Sequence, residues 1–161
     1  MTRKIICAAA LAALACALVP AASSAKAKRS VLKIVSTAPT ITTVDLGPAG
    51  KSPGDVYVVA SDMKTRSGRL IGRLRGTQTS IAIEDGAETV QAYFTFAFRD
   101  GSQIMVGGLG QFPLSGTGLL VDRKYRRAIL GGTGRFVGAR GQLTSVMRAD
   151  GHYDQTFRFV R

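Results

Sequence analysis

Glycine is the feature that most limits what this chain can fold into. All 19 glycines lie beyond residue 46, scattered through the rest of the sequence. A glycine inside a helix costs about 1 kcal/mol relative to alanine. No glycine-free run of about 11 residues in this region shows the 3.6-residue apolar period of a helix. Alternation takes its place. Thr89–Arg99 sets Val90, Ala92, Phe94, Phe96 and Phe98 on one face, and Thr89, Gln91, Tyr93, Thr95 and Arg99 on the other. That is the period-two pattern of a half-buried strand. Asp85-Gly86, Asp100-Gly101 and Asp150-Gly151 each separate two alternating runs. Asp-Gly supplies the positive φ angles of a two-residue hairpin, so the three pairs predict an antiparallel meander.

Eight strands are predicted: Val31–Thr43, Val56–Met63, Arg69–Ile83, Thr89–Arg99, Ser102–Gly107, Arg127–Leu130, Ala139–Arg148 and His152–Val160. Gly47–Gly50 and Gln111–Lys124 are the substantial loops. A chain of 161 residues is one domain by size. Eight strands in it need a closed barrel or two packed sheets, and closure removes edge strands while leaving a lumen for side chains or one small ligand. The expected fold is therefore all-β, a single eight-stranded antiparallel barrel with an apolar lumen.

The N-terminus reads as an address. Arg3 and Lys4 precede the apolar run Ile5–Val19, followed by Pro20 and small residues up to Ala25. This is the order of a secretory signal peptide, and the run of 15 is shorter than the roughly 20 residues of a membrane span. Residues 1–25 are read as signal peptide, with cleavage after Ala25 or Ala27, residues 26–30 as a basic flexible N-terminus, and residues 31–161 as the barrel. Cleavage removes Cys7 and Cys16, the only cysteines, which excludes a disulfide scaffold and suits an oxidising, extracytoplasmic setting. His152 is then the one soft metal ligand, so no His/Cys metal site is expected.

Two motifs fail on context. Gly131-Gly132-Thr133-Gly134 follows a strand as a dinucleotide loop would, but Gly141 interrupts the helix it should open and no βαβ unit surrounds it. Asp45–Ser52 resembles a phosphate loop, yet Pro53-Gly54 forbids the following helix. No G-x-S-x-G nucleophile motif is present.

The formal charge of +12 points weakly to an anionic partner. Arg69, Arg73 and Arg75, and the run Arg123-Lys124-Tyr125-Arg126-Arg127, read as solvated basic faces with a weak attraction for anionic surfaces. No nucleic-acid motif accompanies them, and no nucleic-acid partner is expected. Because an unpaired guanidinium is costly to bury, charge also orients the strands. Arg69, Arg73 and Arg75 should point out, which sends Leu70, Gly72, Leu74, Gly76, Gln78 and Ala82 inward. Phe94, Phe96 and Phe98 should point in, as should Tyr153, Gln155, Phe157 and Phe159. The same logic sends Arg140 and Arg148 outward.

Gly131-Gly-Thr-Gly-Arg-Phe-Val-Gly-Ala-Arg-Gly141, read with Ser67-Gly-Arg-Leu-Ile-Gly-Arg-Leu-Arg-Gly76, resembles the barrel superfamily that joins plant allene oxide cyclases and dirigent proteins. The resemblance covers about residues 31–160. It implies a small antiparallel barrel, often trimeric, with an apolar lumen and no cofactor. The cyclases' first-strand carboxylate and their cysteine are not matched: Ile34–Thr37 holds no acid, and Gln78 stands at the cysteine position. The dirigent pattern implies Arg140 and Asp62 as catalytic candidates, with Arg140 in the cavity, against the charge argument, and Asp62 as its partner. Gln78, Phe94, Phe96, Tyr153 and Phe157 are the candidate ligand wall, with plain core as the alternative for the phenylalanines and Gln78. Ile71, Ile81 and Ile83 are the outer-wall candidates for a trimer contact. The implied function is an exported barrel that binds an apolar small molecule and steers a cyclisation or coupling, isomerase-like if it turns over at all. A non-catalytic carrier or envelope protein, and a basic polyanion-binding surface, are the alternatives.

Overall fold

The computed structural model describes residues 29–114 and 120–160. The predicted signal segment lies outside the described residues. Nine strands follow one another: β1 (Arg29–Ser36), β2 (Thr40–Val44), β3 (Val56–Lys64), β4 (Leu70–Glu84), β5 (Ala87–Phe98), β6 (Gln103–Pro113), β7 (Lys124–Thr133), β8 (Arg140–Met147) and β9 (Tyr153–Val160). A single 3-10 turn, Gly134–Phe136, interrupts them. The strand order is β1-β9-β8-β7-β6-β5-β4-β3, closed by a β1–β3 pairing at Val35↔Lys64 and Ser36↔Met63. The result is a closed eight-stranded antiparallel barrel with β2 as an extra strand.

β2 comes from a strand that the sequence suggested was continuous. It pairs with β3 from Thr40↔Ala60 to Val44↔Val56, along the line that β1 began. Between them Thr37 donates its N–H to Asp62 O at 2.9 Å. Pro39, which has no N–H to give, falls in the break. The turns also differ among themselves. Asp85 and Gly86 both have positive φ, 51° and 71°, and form the two-residue turn expected of Asp-Gly. At Asp100-Gly101 and Asp150-Gly151 only the glycine is left-handed, with φ 81° and 78°. There Gly101 N donates to Phe98 O and Gly151 N to Arg148 O, at 3.0 Å each. Each is a type I turn closed by a glycine bulge, so the loops gain a residue.

One end of the barrel is packed solid. Phe96 and Phe157 are fully buried and meet edge to face at 4.9 Å and 88°, the geometry aromatic pairs prefer. Phe98, Phe136 and Phe159 continue the stack below, with Phe98–Phe136 at 5.1 Å and Phe136–Phe159 at 6.0 Å. The glycine-rich run that mimics a nucleotide loop therefore serves packing, since its 3-10 turn inserts Phe136 as the floor of the barrel. Arg135 lies outside, 4.8 Å from the Phe98 and Phe136 rings and ion-paired with Asp100. Gly76 shows why β4 is glycine-rich on its inner face: a Cβ there would stand 2.1 Å from Tyr93 O and 2.5 Å from Phe94 Cδ1.

The faces follow the charge argument closely. Arg69, Arg73 and Arg75 are exposed, while Gly72 and Leu74 are buried. Phe94, Phe96, Phe98, Gln155, Phe157 and Phe159 are buried and Tyr153 half-buried.

Candidate functional site

The other half of the lumen is not filled. A cleft lined by Val59, Leu74, Phe94, Phe96 and Leu143 below, and by Ile41, Phe112 and Tyr153 towards the mouth, encloses about 560 Å³ with its open mouth included. The cavity proper is about 60 Å³, room for several waters. Polar groups converge on it from six strands. Ser145 donates to Gln155 Oε1 at 2.6 Å, and Gln155 Nε2 reaches Ser36 Oγ at 3.4 Å. Gln78 lines both this cleft and a smaller one beside it. Among the described residues its amide has no hydrogen-bond partner.

The strongest charge in the cleft is Arg127, which is 4% exposed. The sequence placed it on a solvated basic face, and the structure corrects that. Arg123, Lys124 and Arg126 are exposed, but Tyr125, Arg127 and Ile129 share the inner face of β7. The Arg127 guanidinium carbon sits 5.1 Å from the centroid of the Phe94 ring. Its Nε and Nη2 are buried and, among the described residues, no acceptor reaches them. Desolvation pushes its pKa below the ordinary guanidinium value, down to about 10, so it stays charged at neutral pH. The room for it comes from β6. Pairing between β6 and β7 ends at Gly107↔Ala128, and Gly108 and Gly110 lie alongside where the two strands part. A Cβ on Gly110 would stand 3.3 Å from Nη2.

The smaller cleft holds the carboxylate that the first strand lacks. Glu88 on β5 is 2% exposed. It accepts from Tyr57 Oη at 2.7 Å and faces Lys51 Nζ at 3.2 Å. Burial first, then the hydrogen bond and the charge of Glu88, push the Tyr57 hydroxyl well above its ordinary value, so it stays a donor. Lys51 arrives on the loop that resembled a phosphate site. Asp55 fixes that loop by accepting from Ser52 N at 2.7 Å and from Leu46 N and Ser52 Oγ at 3.1 Å each. These bonds, Ser52 N first, hold the Asp55 carboxyl below its ordinary value.

Of the residues singled out in sequence, Gln78, Phe94, Phe96 and Tyr153 line the cleft, and Phe157 lies against the edge of Phe96 in the packed layer. Asp62 and Arg140 are not brought together. Asp62 is half-exposed on the outer wall, with Oδ1 3.5 Å from Arg73 Nε. Arg140 is exposed. Strand parity explains both: Tyr57, Val59 and Met63 take the inner face of β3, and Leu143 and Ser145 that of β8, leaving Asp62 and Arg140 outside. Glu88 falls outside the predicted strand, which starts at Thr89, two residues after β5 does; it shares its face with Val90 and Phe94. On the outer wall Ile81 is exposed, while Ile71 packs against the core and Ile83 is half-buried. The larger exposed apolar group is Tyr93, Met105 and Leu130.

The described residues thus form a closed barrel with a packed floor, an open upper lumen and polar groups set inside that lumen. The family model described as allene oxide cyclase barrel like domain matches residues 35–156, and the chain belongs to that family. Among solved structures it is similar to a pyocyanin demethylase, with TM-score 0.66 and 18% identity over 80% of this chain and 99% of that one. It is similar to a pterocarpan synthase dirigent protein, with TM-score 0.57 and 22% identity over 83% and 96%. It is also similar to an exo-specific intermolecular Diels–Alderase, with TM-score 0.56 and 15% identity over 83% and 99%. At these identities the likeness is one of fold. No protein of curated function matches the chain in sequence.

Proposed function

We propose that this protein is an exported barrel that takes an apolar small molecule into the upper lumen and steers its cyclisation or coupling without a cofactor. The observation that carries this reading is the uneven filling of one lumen. Five phenylalanines close its lower half, while the upper half keeps an open-mouthed cleft with apolar walls and convergent polar groups. Such a site acts by holding reacting atoms at short range and by excluding water. Gln78, Phe94, Phe96 and Tyr153 are the wall we assign to the ligand, with Phe157 as the support beneath it. Family membership supports the reading, and relatives of this fold include a Diels–Alderase and a dirigent protein.

A carrier that binds without turnover is the second reading. It is favoured by one observation: Glu88, the carboxylate beside the cleft, is already held by Tyr57 and Lys51 and is not free to move a proton. Outside the barrel, the exposed arginines give weak attraction to anionic surfaces. Tyr93 and Leu130, which flank Gly107, are the outer-wall face on which we place a homotrimer contact.

Native mass spectrometry of the protein purified from its own host tests the reading and reports the oligomer at once. A co-purified organic mass that is released on unfolding is the expected result. The chain has no tryptophan, so Ile41→Trp at the mouth provides a single reporter for titration with apolar aromatic compounds. Bare protein together with a silent reporter would overturn the reading. Catalyst and carrier separate on Gln78→Ala, which alters product distribution in the first case and affinity alone in the second.

A further inference from the structure

Arg127 has no structural use that accounts for its burial. Nε and Nη2 are buried, and among the described residues no acceptor reaches them and no ion pair includes this side chain. An unpaired charge inside a protein is among the costlier things a fold can hold. Glu88 does not serve as the counter-ion, because Tyr57 and Lys51 occupy its two oxygens. The site is nevertheless built around the guanidinium. Phe94 supports it from one side, the β6–β7 seam opens where it sits, and Gly110 lets the backbone of β6 pass close to Nη2, where a Cβ would stand 3.3 Å away. Val59, Leu74, Phe96 and Leu143 supply the hydrocarbon part of the cleft wall.

We propose that Arg127 is the anion-binding group of the lumen, and that the molecule taken there carries a carboxylate on an apolar, ring-sized body. This rests on the reading of the lumen as a small-molecule site. A planar carboxylate matches the donor fork of a guanidinium and can take two hydrogen bonds at once. Pairing in a water-poor cleft is stronger than at a surface, and it gives the guanidinium lining the cleft the counter-charge it lacks among the described residues. The carboxylate faces Arg127 while the ring body lies against Phe94 and Leu74, so the charge fixes the orientation of the apolar part. That is what a barrel that steers a cyclisation needs.

The test uses three ring-matched probes, naphthoate, naphthamide and naphthylmethylammonium, titrated into the full barrel and into Arg127→Met. Naphthoate is expected to bind wild type at least about tenfold more tightly than the amide, with the ammonium weakest. In Arg127→Met the naphthoate preference should vanish while the amide still binds. Arg127→Lys, which keeps the charge without the fork, should retain a reduced preference. Equal binding of naphthoate and naphthamide to wild type, or a naphthoate preference that survives Arg127→Met, overturns the assignment and leaves the small-molecule reading standing. Failure of all three probes to bind wild type overturns both.

Discussion

Arg127→Met should make the empty barrel more stable, although it removes a buried side chain with many neighbours. Desolvation draws the guanidinium well below its ordinary value, to about 10, a penalty on the charged form on the order of 3 kcal/mol. Methionine keeps the length and apolar contacts of the arginine stem and deletes the charge. A gain of roughly 1–3 kcal/mol is therefore expected, and at about 3–5 °C per kcal/mol for a domain of this size the midpoint should rise by roughly 4–12 °C. The pH dependence has a definite sign. A base whose folded pKa is depressed carries its cost fully below the folded value. It sheds that cost as pH rises from about 10 towards the ordinary guanidinium range. The advantage of Arg127→Met should hold constant across neutral pH and narrow above about 10. Thermal melts followed by far-ultraviolet circular dichroism, at several pH values, measure this. A midpoint that falls by several degrees would refute the reasoning, because the guanidinium would then be a net stabiliser with its hydrogen-bonding needs met.

Other residues give further expectations. Tyr57→Phe removes the hydroxyl that Glu88 accepts from at 2.7 Å, and should cost about 1.5–3 kcal/mol in urea unfolding; an unchanged midpoint would mean the carboxylate does not depend on it. Gly76→Ala drives a Cβ to 2.1 Å from Tyr93 O, and should cost about 3 kcal/mol or abolish soluble barrel, whereas a mild effect would show that β4 and β5 can part. Asp55 and Asp154 both sit below their ordinary values, Asp55 through Ser52 N and Asp154 through Arg148. Their contribution is present above about pH 4 and lost as pH falls through the depressed values, so Asp55→Asn should flatten the acid limb of stability against pH, and an unaltered limb would contradict this. Asp62→Asn and Arg140→Ala alter exposed positions and should stay within about 0.5 kcal/mol of wild type, with ligand affinity unchanged; loss of affinity in either would move the site to the outer wall.

The barrel was legible in the sequence because its determinants are local. Alternation along β5 and β9, glycine where strands crowd, and Asp-Gly at the hairpins are each readable from neighbouring residues. The exceptions are also local in origin. Pro39 splits a run that alternation alone joins, and Gly101 and Gly151 act as bulges where a two-residue turn was expected. The site was legible only in its apolar part. Phe94 and Phe96 declare themselves by parity. Glu88 and Arg127 share that parity but carry charge, and the rule that charge faces water hides the residues whose burial a binding site would explain. The partners of Glu88 lie 31 and 37 positions away, at Tyr57 and Lys51, a distance no pattern of period two reveals. The attraction of Arg140 came from a motif, and the same parity that places Leu143 and Ser145 inside places it outside.

The most direct test of the account is a crystal structure of the barrel grown with naphthoate. The account predicts the ring between Phe94 and Leu74 in the upper lumen, with the carboxylate on the Arg127 guanidinium and the aromatic floor unmoved. Naphthoate bound on the outer wall, or a lumen closed over by its own side chains, would contradict it.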